Sequence, residues 1–538
     1  LALTLPARPA GFSRAGRRPS ALVVAAALAG GAVLVPLAGV VVTAVSGPGA
    51  DIPARDLARY AGTSAALALL VALGTGIVGT ASAWLLAFYR FPGRRVFTWA
   101  LALPFAMPAF AMAYAYTDLF DPAGAVRMAV RESAGIDLAV PMRSLGGAAF
   151  VLTCAFYPYV YLAMRAAFAS QSAAAFEAAR MLGCTPLAAF RRAVLPLARP
   201  ALAAGLALAI METLADYGAV QFMAVQTLTT GVVRSWAVFG SVAGAAQLAL
   251  LLVAAAAVLL LAERHWRRGA AFDGAKVAAR PLLPRQLKGA KAVAAALACG
   301  LLLTAALVLP VAWLFSRALA QRPDVQRLVD AAWNSVLVAG AGAAVTTVLA
   351  LALALGAARA PGAMRMAGLG YATPGAALAI GLLLPAGVVW TLAPAAGSFW
   401  IGIVLLLYAY AARLMAAAAE PIGAALSRVT PGVAEAARSL GRTEVGAALT
   451  VQVPLARAGL VTALLLVFVD VLKELPATLI LRPFGFDTLA VMASNYALDE
   501  RLGQAGWPSL LIVLAALGPT VWLSRQVTAS GDAAERRP

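Results

Sequence analysis

Two short runs of the sequence set acidic side chains inside long apolar stretches, where a charge is costly and has to face protein or water. The first run is Met211-Glu212-Thr213-Leu214-Ala215-Asp216-Tyr217, and the second is Asp470-Val471-Leu472-Lys473-Glu474-Leu475-Pro476. Glu212 matches Asp470, and Asp216 matches Glu474, at one separation of 258 residues. Within each run the carboxylates are four residues apart, which on a helix places them on one face. Counted from Pro200, Asp216 lies roughly 24 Å along its helix, with Glu212 nearer the middle. Carboxylate oxygens, with the Tyr217 phenol beside them, are ligands for a hard cation. One reading has Glu212, Asp216, Tyr217, Asp470 and Glu474 lining a route that a cation crosses. The other has the four carboxylates structural, neutralised by Lys473 or backbone groups and fixing two copies of a motif in register. No metal site is firmly assigned.

Other chemistries are excluded by residue type. His265 is the only histidine and lies in a basic stretch, so a histidine-based catalytic triad is impossible. Cys154, Cys184 and Cys299 are scattered, with neither a disulfide framework nor metal-ligand spacing. No Gly-x-x-x-x-Gly-Lys-Ser/Thr run occurs, so the chain has no loop of the usual kind for ATP phosphates and is not itself an enzyme of that type.

The elements that position these residues are membrane helices. The chain has 538 residues, 62% hydrophobic and 12% charged, with a mean hydropathy of +0.87. About 20 apolar residues cross the hydrocarbon core as a helix. Twelve such runs are expected, at roughly 21–46, 61–89, 96–119, 145–168, 200–222, 241–262, 292–315, 334–358, 366–391, 399–419, 458–481 and 507–524. They lack the polar alternation of barrel strands, so the fold class is an all-α integral membrane protein. The first run, about 25 apolar residues, is longer than the core of a signal peptide and reads as a span.

A formal charge of +19 raises nucleic acid as a partner, but its distribution points to membrane lipid. Basic residues gather before the first span (Arg8, Arg14, Arg17, Arg18), after the second (Arg90, Arg94, Arg95), and between the sixth and seventh (Arg264 to Lys291). By the positive-inside rule both termini and the central linker are cytoplasmic, as an even span count requires.

An internal repeat organises the whole. EAARMLGCTPLAAFRRAVLPLARPAL from Glu177 aligns without a gap to EAARSLGRTEVGAALTVQVPLARAGL from Glu435, again 258 residues apart. The expected domains are a first half at 1–265, a basic linker at 266–290 and a second half at 291–538, each half a bundle of six spans running in the same direction. The repeated segments fall at 169–199 and 420–457, between the fourth and fifth spans of each half. Each reads as two short helices parted by Gly183 or Gly441 and ending at Pro196 or Pro454. Glu177 with Arg180, and Glu435 with Arg438, have the spacing of an ion pair on one helix face. An inert amphipathic helix on the membrane surface is the plain alternative for one copy, but not for two kept in register.

Glu-Ala-Ala, a glycine four residues later and a proline thirteen after that resembles the EAA motif of bacterial ABC import permeases. The first copy carries Glu177, Ala178, Ala179, Gly183 and Pro196; the second carries Glu435, Ala436, Ala437, Gly441 and Pro454. The resemblance implies the type I importer fold, with two parallel homologous bundles in a bacterial cytoplasmic membrane and a coupling helix in each loop that docks on an ATPase subunit. It implies two ATPase copies, an external substrate-binding protein, and ATP and Mg used by the partner, with no cofactor on this chain. The strings Lys473 to Thr478 and Arg482 to Ala490 are similar to fused permeases of ferric-iron importers. Thiamine, phosphonate, polyamine and oxyanion permeases share parts of the pattern. A twelve-span transporter driven by an ion gradient is the rival outside the family.

Overall fold

The computed structural model describes residues 20–47, 52–137, 139–170, 173–268, 284–392 and 397–535. The basic cluster at Arg8 to Arg18 and the linker residues Lys276 and Arg280 lie outside them. Almost everything described is helix. The one strand pairing among the described residues joins Tyr89–Arg90 in parallel to Arg285–Gln286, where the linker re-enters.

Among the described residues ten helices are long and apolar enough to span a membrane, and twelve result when each of two bent pairs counts as one. All twelve expected spans are represented, and they differ from expectation in being broken, at prolines and at two acidic positions. The third is divided into Arg94–Ala106 and Ala109–Leu119, set at 94°. Pro108 forces the break because it supplies no amide hydrogen and restrains the residue before it. The expected ninth span, 366–391, is split by Pro374 into Pro361–Ala372 and Gly375–Leu392. Asp216 and Glu474 do not continue the helices of Glu212 and Asp470 but sit just past the ends, after Ala215 and Leu472.

The helices form two compact units that cut across the sequence repeat. One comprises Leu1–Leu57, Leu228–Ala257 and Gln326–Val491. Here the first span, Ala21–Ser46, packs on Pro361–Ala372 and Gly375–Leu392 of the second half. The approach is backbone to backbone: a Cβ at Gly39 would fall 2.0 Å from the Gly381 carbonyl oxygen, so only glycine fits.

The other unit comprises Ala58–Thr227, Val258–Val325 and Met492–Pro538. The helix Leu309–Ala320, from the first span of the second half, packs here on Leu502–Glu535 and on Ala109–Leu119 of the first half. It is held by polar contacts. Asp118 accepts from Trp313 Nε1 at 2.7 Å and from Arg317 Nε at 3.0 Å, and the Tyr116 hydroxyl donates to the Ala305 carbonyl at 2.6 Å.

Candidate functional site

The two repeated loops fold alike. The helices Ala173–Met181 and Pro431–Ser439 carry the Glu-Ala-Ala triplets, with Glu177, Ala178, Glu435 and Ala436 exposed. Each ends in a left-handed glycine, Gly183 at φ +83° and Gly441 at φ +85°. The bonds after each helix are those of a Schellman motif. Cys184 N–H reaches the Ala179 carbonyl and Gly183 N–H the Arg180 carbonyl, both at 3.1 Å. In the second copy Arg442 N–H reaches Ala437 at 3.1 Å and Gly441 N–H reaches Arg438 at 3.0 Å. Where the spacing predicts a Glu177–Arg180 pair, Arg180 instead donates to the Cys184 carbonyl at 2.6 Å.

A second short helix opens at a matched threonine. Thr185 Oγ1 accepts from Ala188 N–H at 3.3 Å, and Thr443 Oγ1 from Gly446 N–H at 3.0 Å. The chain then widens into a π-turn, Phe190–Val194 or Ala448–Gln452. Leu195 N–H bonds back to Phe190 and Val453 N–H to Ala448. Pro196 and Pro454 follow one residue on; a proline gives no hydrogen to the carbonyl four residues back, and a wider turn accommodates that carbonyl.

Three apolar side chains that residue patterns did not single out stand in the open at these glycines. Met181 is 88% exposed, and Leu182 and its repeat counterpart Leu440 are 85% and 86% exposed. Matched leucines thus stand exposed beside matched turns in both copies. The signals available in sequence were the recurrence of Leu before the glycine and Thr two residues after it.

The copies differ in what holds them. Phe190 in the first π-turn packs against Phe88 and Phe168, with ring centroids 6.5 and 5.9 Å away, and Phe176 lies 5.2 Å from Phe88. The matched positions in the second copy are Ala434 and Ala448, and that loop is tied by an ion pair from Arg359 to Glu444. The first copy runs into its span as Pro186–Ala215, while the second bends by 77° between Glu444–Leu455 and Arg457–Leu472. Tyr89 lies beside the first copy. Burial pushes its phenol up, opposed by the charges of Arg285 from the linker and Arg180 from the loop.

The carboxylates at the break points act as helix caps. Asp216 Oδ1 accepts from Ala219 and Val220 N–H, both at 3.1 Å, at the start of Gly218–Phe222. Glu474 Oε1 accepts from Ala477 N–H and Oε2 from Thr478 N–H, both at 3.0 Å, at the start of Pro476–Leu481. Thr478 Oγ1 also donates to Glu474 Oε2 at 2.6 Å. Arg413 lies 3.7 Å from Glu474, and Lys473 pairs with Asp470 at 3.0 Å. Tyr217 is buried. Each unit thus holds one of these breaks, with its capping carboxylate and the matched acid one turn earlier.

Residues 76–268 match the family of binding-protein-dependent transport system inner membrane components, the region that contains the first loop and the first carboxylate pair. Along the chain the similarity continues: the Fe(3+)-transport system permease protein FbpB 2 of Haemophilus influenzae is 25% identical over 85% of this chain and 88% of its own length. Residues 76–268 are a domain of this permease family, and the likeness along most of the chain fits a fused permease of two halves. The sulfate transport system permease protein CysT of Salmonella typhimurium is 33% identical over 29% of the permease chain and 55% of its own. A putative 2-aminoethylphosphonate transport system permease protein PhnU of Salmonella choleraesuis is 26% identical over 30% and 58%. The permease therefore spans little more than half the length of these last two. As a multi-pass transport component it belongs with relatives that are not themselves enzymes.

Proposed function

We propose that this permease forms the membrane path of an ATP-driven importer that carries ferric iron inward across a bacterial cytoplasmic membrane. The observation that carries the reading is the pair of matched loops, each with a Schellman glycine and an exposed leucine at Leu182 or Leu440. Two such surfaces suit two copies of an ATPase subunit, which binds ATP and Mg and whose closure is passed to the spans through the π-turns. An external substrate-binding protein delivers the cargo. Both termini and both loops are cytoplasmic in this reading, from the placement of the basic residues.

Iron as cargo is supported by the Haemophilus relative, which is similar over most of its length. Discontinuous spans with acidic groups at their breaks are a form that substrate routes take in transporters. In this reading Asp216 and Glu474 shape the breaks through their backbone bonds, while Glu212, Tyr217 and Asp470 belong to the same route. The test is uptake of labelled ferric iron into proteoliposomes holding the permease, its ATPase and its binding protein. ATP-dependent iron uptake is expected. Uptake of sulfate or 2-aminoethylphosphonate instead would keep the permease role and change the cargo, and uptake driven by an ion gradient without ATPase would overturn both. Asp216→Asn and Glu474→Gln keep an oxygen acceptor for the caps; slowed uptake with normal assembly places the charges on the route, and unchanged uptake makes them structural.

A further inference from the structure

Leu481 is followed by a tight turn three residues longer than the one that follows Met223 in the first half, where Ala224 stands at φ +57°. From Asp216 to Met223 the first half aligns to Glu474 to Leu481, but Thr227-Leu228 then matches Thr488-Leu489 only after three extra residues in the second half. The inserted stretch is built to be rigid. Phe486 N–H bonds to the Pro483 carbonyl at 3.2 Å, Gly485 supplies the positive φ of +76°, and Arg482 and Asp487 form an ion pair across the base. Asn334 Nδ2 donates to the Asp487 carbonyl at 3.1 Å, and Leu489 N–H donates to Ser335 Oγ at 2.7 Å. Phe486 turns inward onto Phe399, with centroids 5.9 Å apart, and Pro483 lies against Gly402. Phe484, at the tip, is 106% exposed.

The contacts at Phe399 and Gly402 fix where this tip lies. They belong to the start of the helix Ser398–Leu426, whose far end, about 43 Å away at 1.5 Å per residue, leads into the second docking loop. The turn is thus at the membrane face opposite the ATPase surface. A lipid-facing aromatic belt accounts for Trp390 and Trp400 at that end. It does not account for Phe484, because both halves meet the same lipid and only one carries the three-residue extension. A soluble partner that meets the external face has reason to use a feature that one half alone carries. An aromatic side chain held ready on an ordered turn has little entropy left to lose, which is how interface anchors gain affinity.

We infer that Phe484 is an anchor for the substrate-loaded binding protein on the external face of the permease. The inference rests on the importer function proposed above. The test uses the complete transporter in proteoliposomes with its cognate binding protein, and reads the concentration of that protein that half-maximally stimulates ATP hydrolysis. Phe484→Ala is expected to raise it about tenfold with basal hydrolysis unchanged, and Phe484→Trp to restore it. In right-side-out vesicles, Phe484→Cys is expected to react with a membrane-impermeant maleimide and to be protected by the loaded binding protein; Cys154 and Cys299 are buried, and Cys184 lies in the first docking loop. A wild type stimulated normally with an unchanged Phe484→Ala value overturns this inference alone, as does labelling only by a lipid-soluble reagent, which assigns the tip to the membrane. A wild type that no binding protein stimulates overturns the importer function and the anchor with it.

Discussion

Gly183 and Gly441 show how a single backbone angle shapes the surface proposed to dock an ATPase subunit. A Cβ at either position would meet nothing within 4 Å, so the cost of alanine is the left-handed conformation itself, about 1 kcal/mol. Gly183→Ala and Gly441→Ala are expected to leave the spans folded, to raise amide exchange at Leu182 and Leu440, and to reduce the ATPase retained on co-purification; asparagine, which tolerates this region, should do less harm. At Gly375 the constraint is space. An added Cβ there would lie 2.7 Å from Glu474 Oε1 and 3.4 Å from Arg413. In the first half Pro108-Ala109 stands where Pro374-Gly375 does, and the capping acid is the shorter Asp216. Gly375→Ala is therefore expected to cost about 1–3 kcal/mol, read as a lower unfolding temperature, and Glu474→Asp in the same chain should recover part of the loss.

Between the two repeated loops the difference is one of anchoring. Phe190 ties the first to Phe88 and Phe168, while alanine occupies the matched position in the second. Phe190→Ala leaves a cavity in a packed aromatic group, worth about 3–5 kcal/mol where fully buried. Proteolysis of the first loop should accelerate sharply, with the second unchanged. Arg359→Ala should do the reverse, and mildly: Arg359 is 58% exposed, and exposed pairs contribute at most about 1 kcal/mol. Equal loosening of both loops by either change would contradict the separate anchoring seen here.

Across the molecule, the units of packing take pieces from both sequence halves. The halves 1–265 and 291–538 expressed as separate chains are each expected to be protease-sensitive, because each lacks spans its own core helices pack against. Co-expression should restore a resistant, co-purifying pair. Two stable separate halves would show that the exchanged packing is dispensable. Asp118 offers a local version of the test. Asp118→Ala removes the acceptor of Trp313 and Arg317, and a loss of about 1–3 kcal/mol is expected in the unit that holds the helix Leu309–Ala320.

The sequence by itself determined the twelve spans, the duplicated loop with its glycine and proline, and the matched carboxylates. Each is a local property: hydrocarbon thickness sets a span's length, and a left-handed glycine or a proline acts on its own turn of chain. The prolines at Pro108 and Pro374 were visible too, but hydropathy counts apolar residues and is blind to the direction of the helix, so the breaks they cause came only with the structure. The same holds for Asp216 and Glu474, whose spacing from Glu212 and Asp470 suits an unbroken helix equally well. Tertiary structure alone decided which span packs with which half. In lipid every apolar helix face is equally content, and the choice rests on close fits such as Gly39 against Gly381 and on polar contacts such as Asp118 with Trp313, pairs that lie hundreds of residues apart and leave no periodic trace.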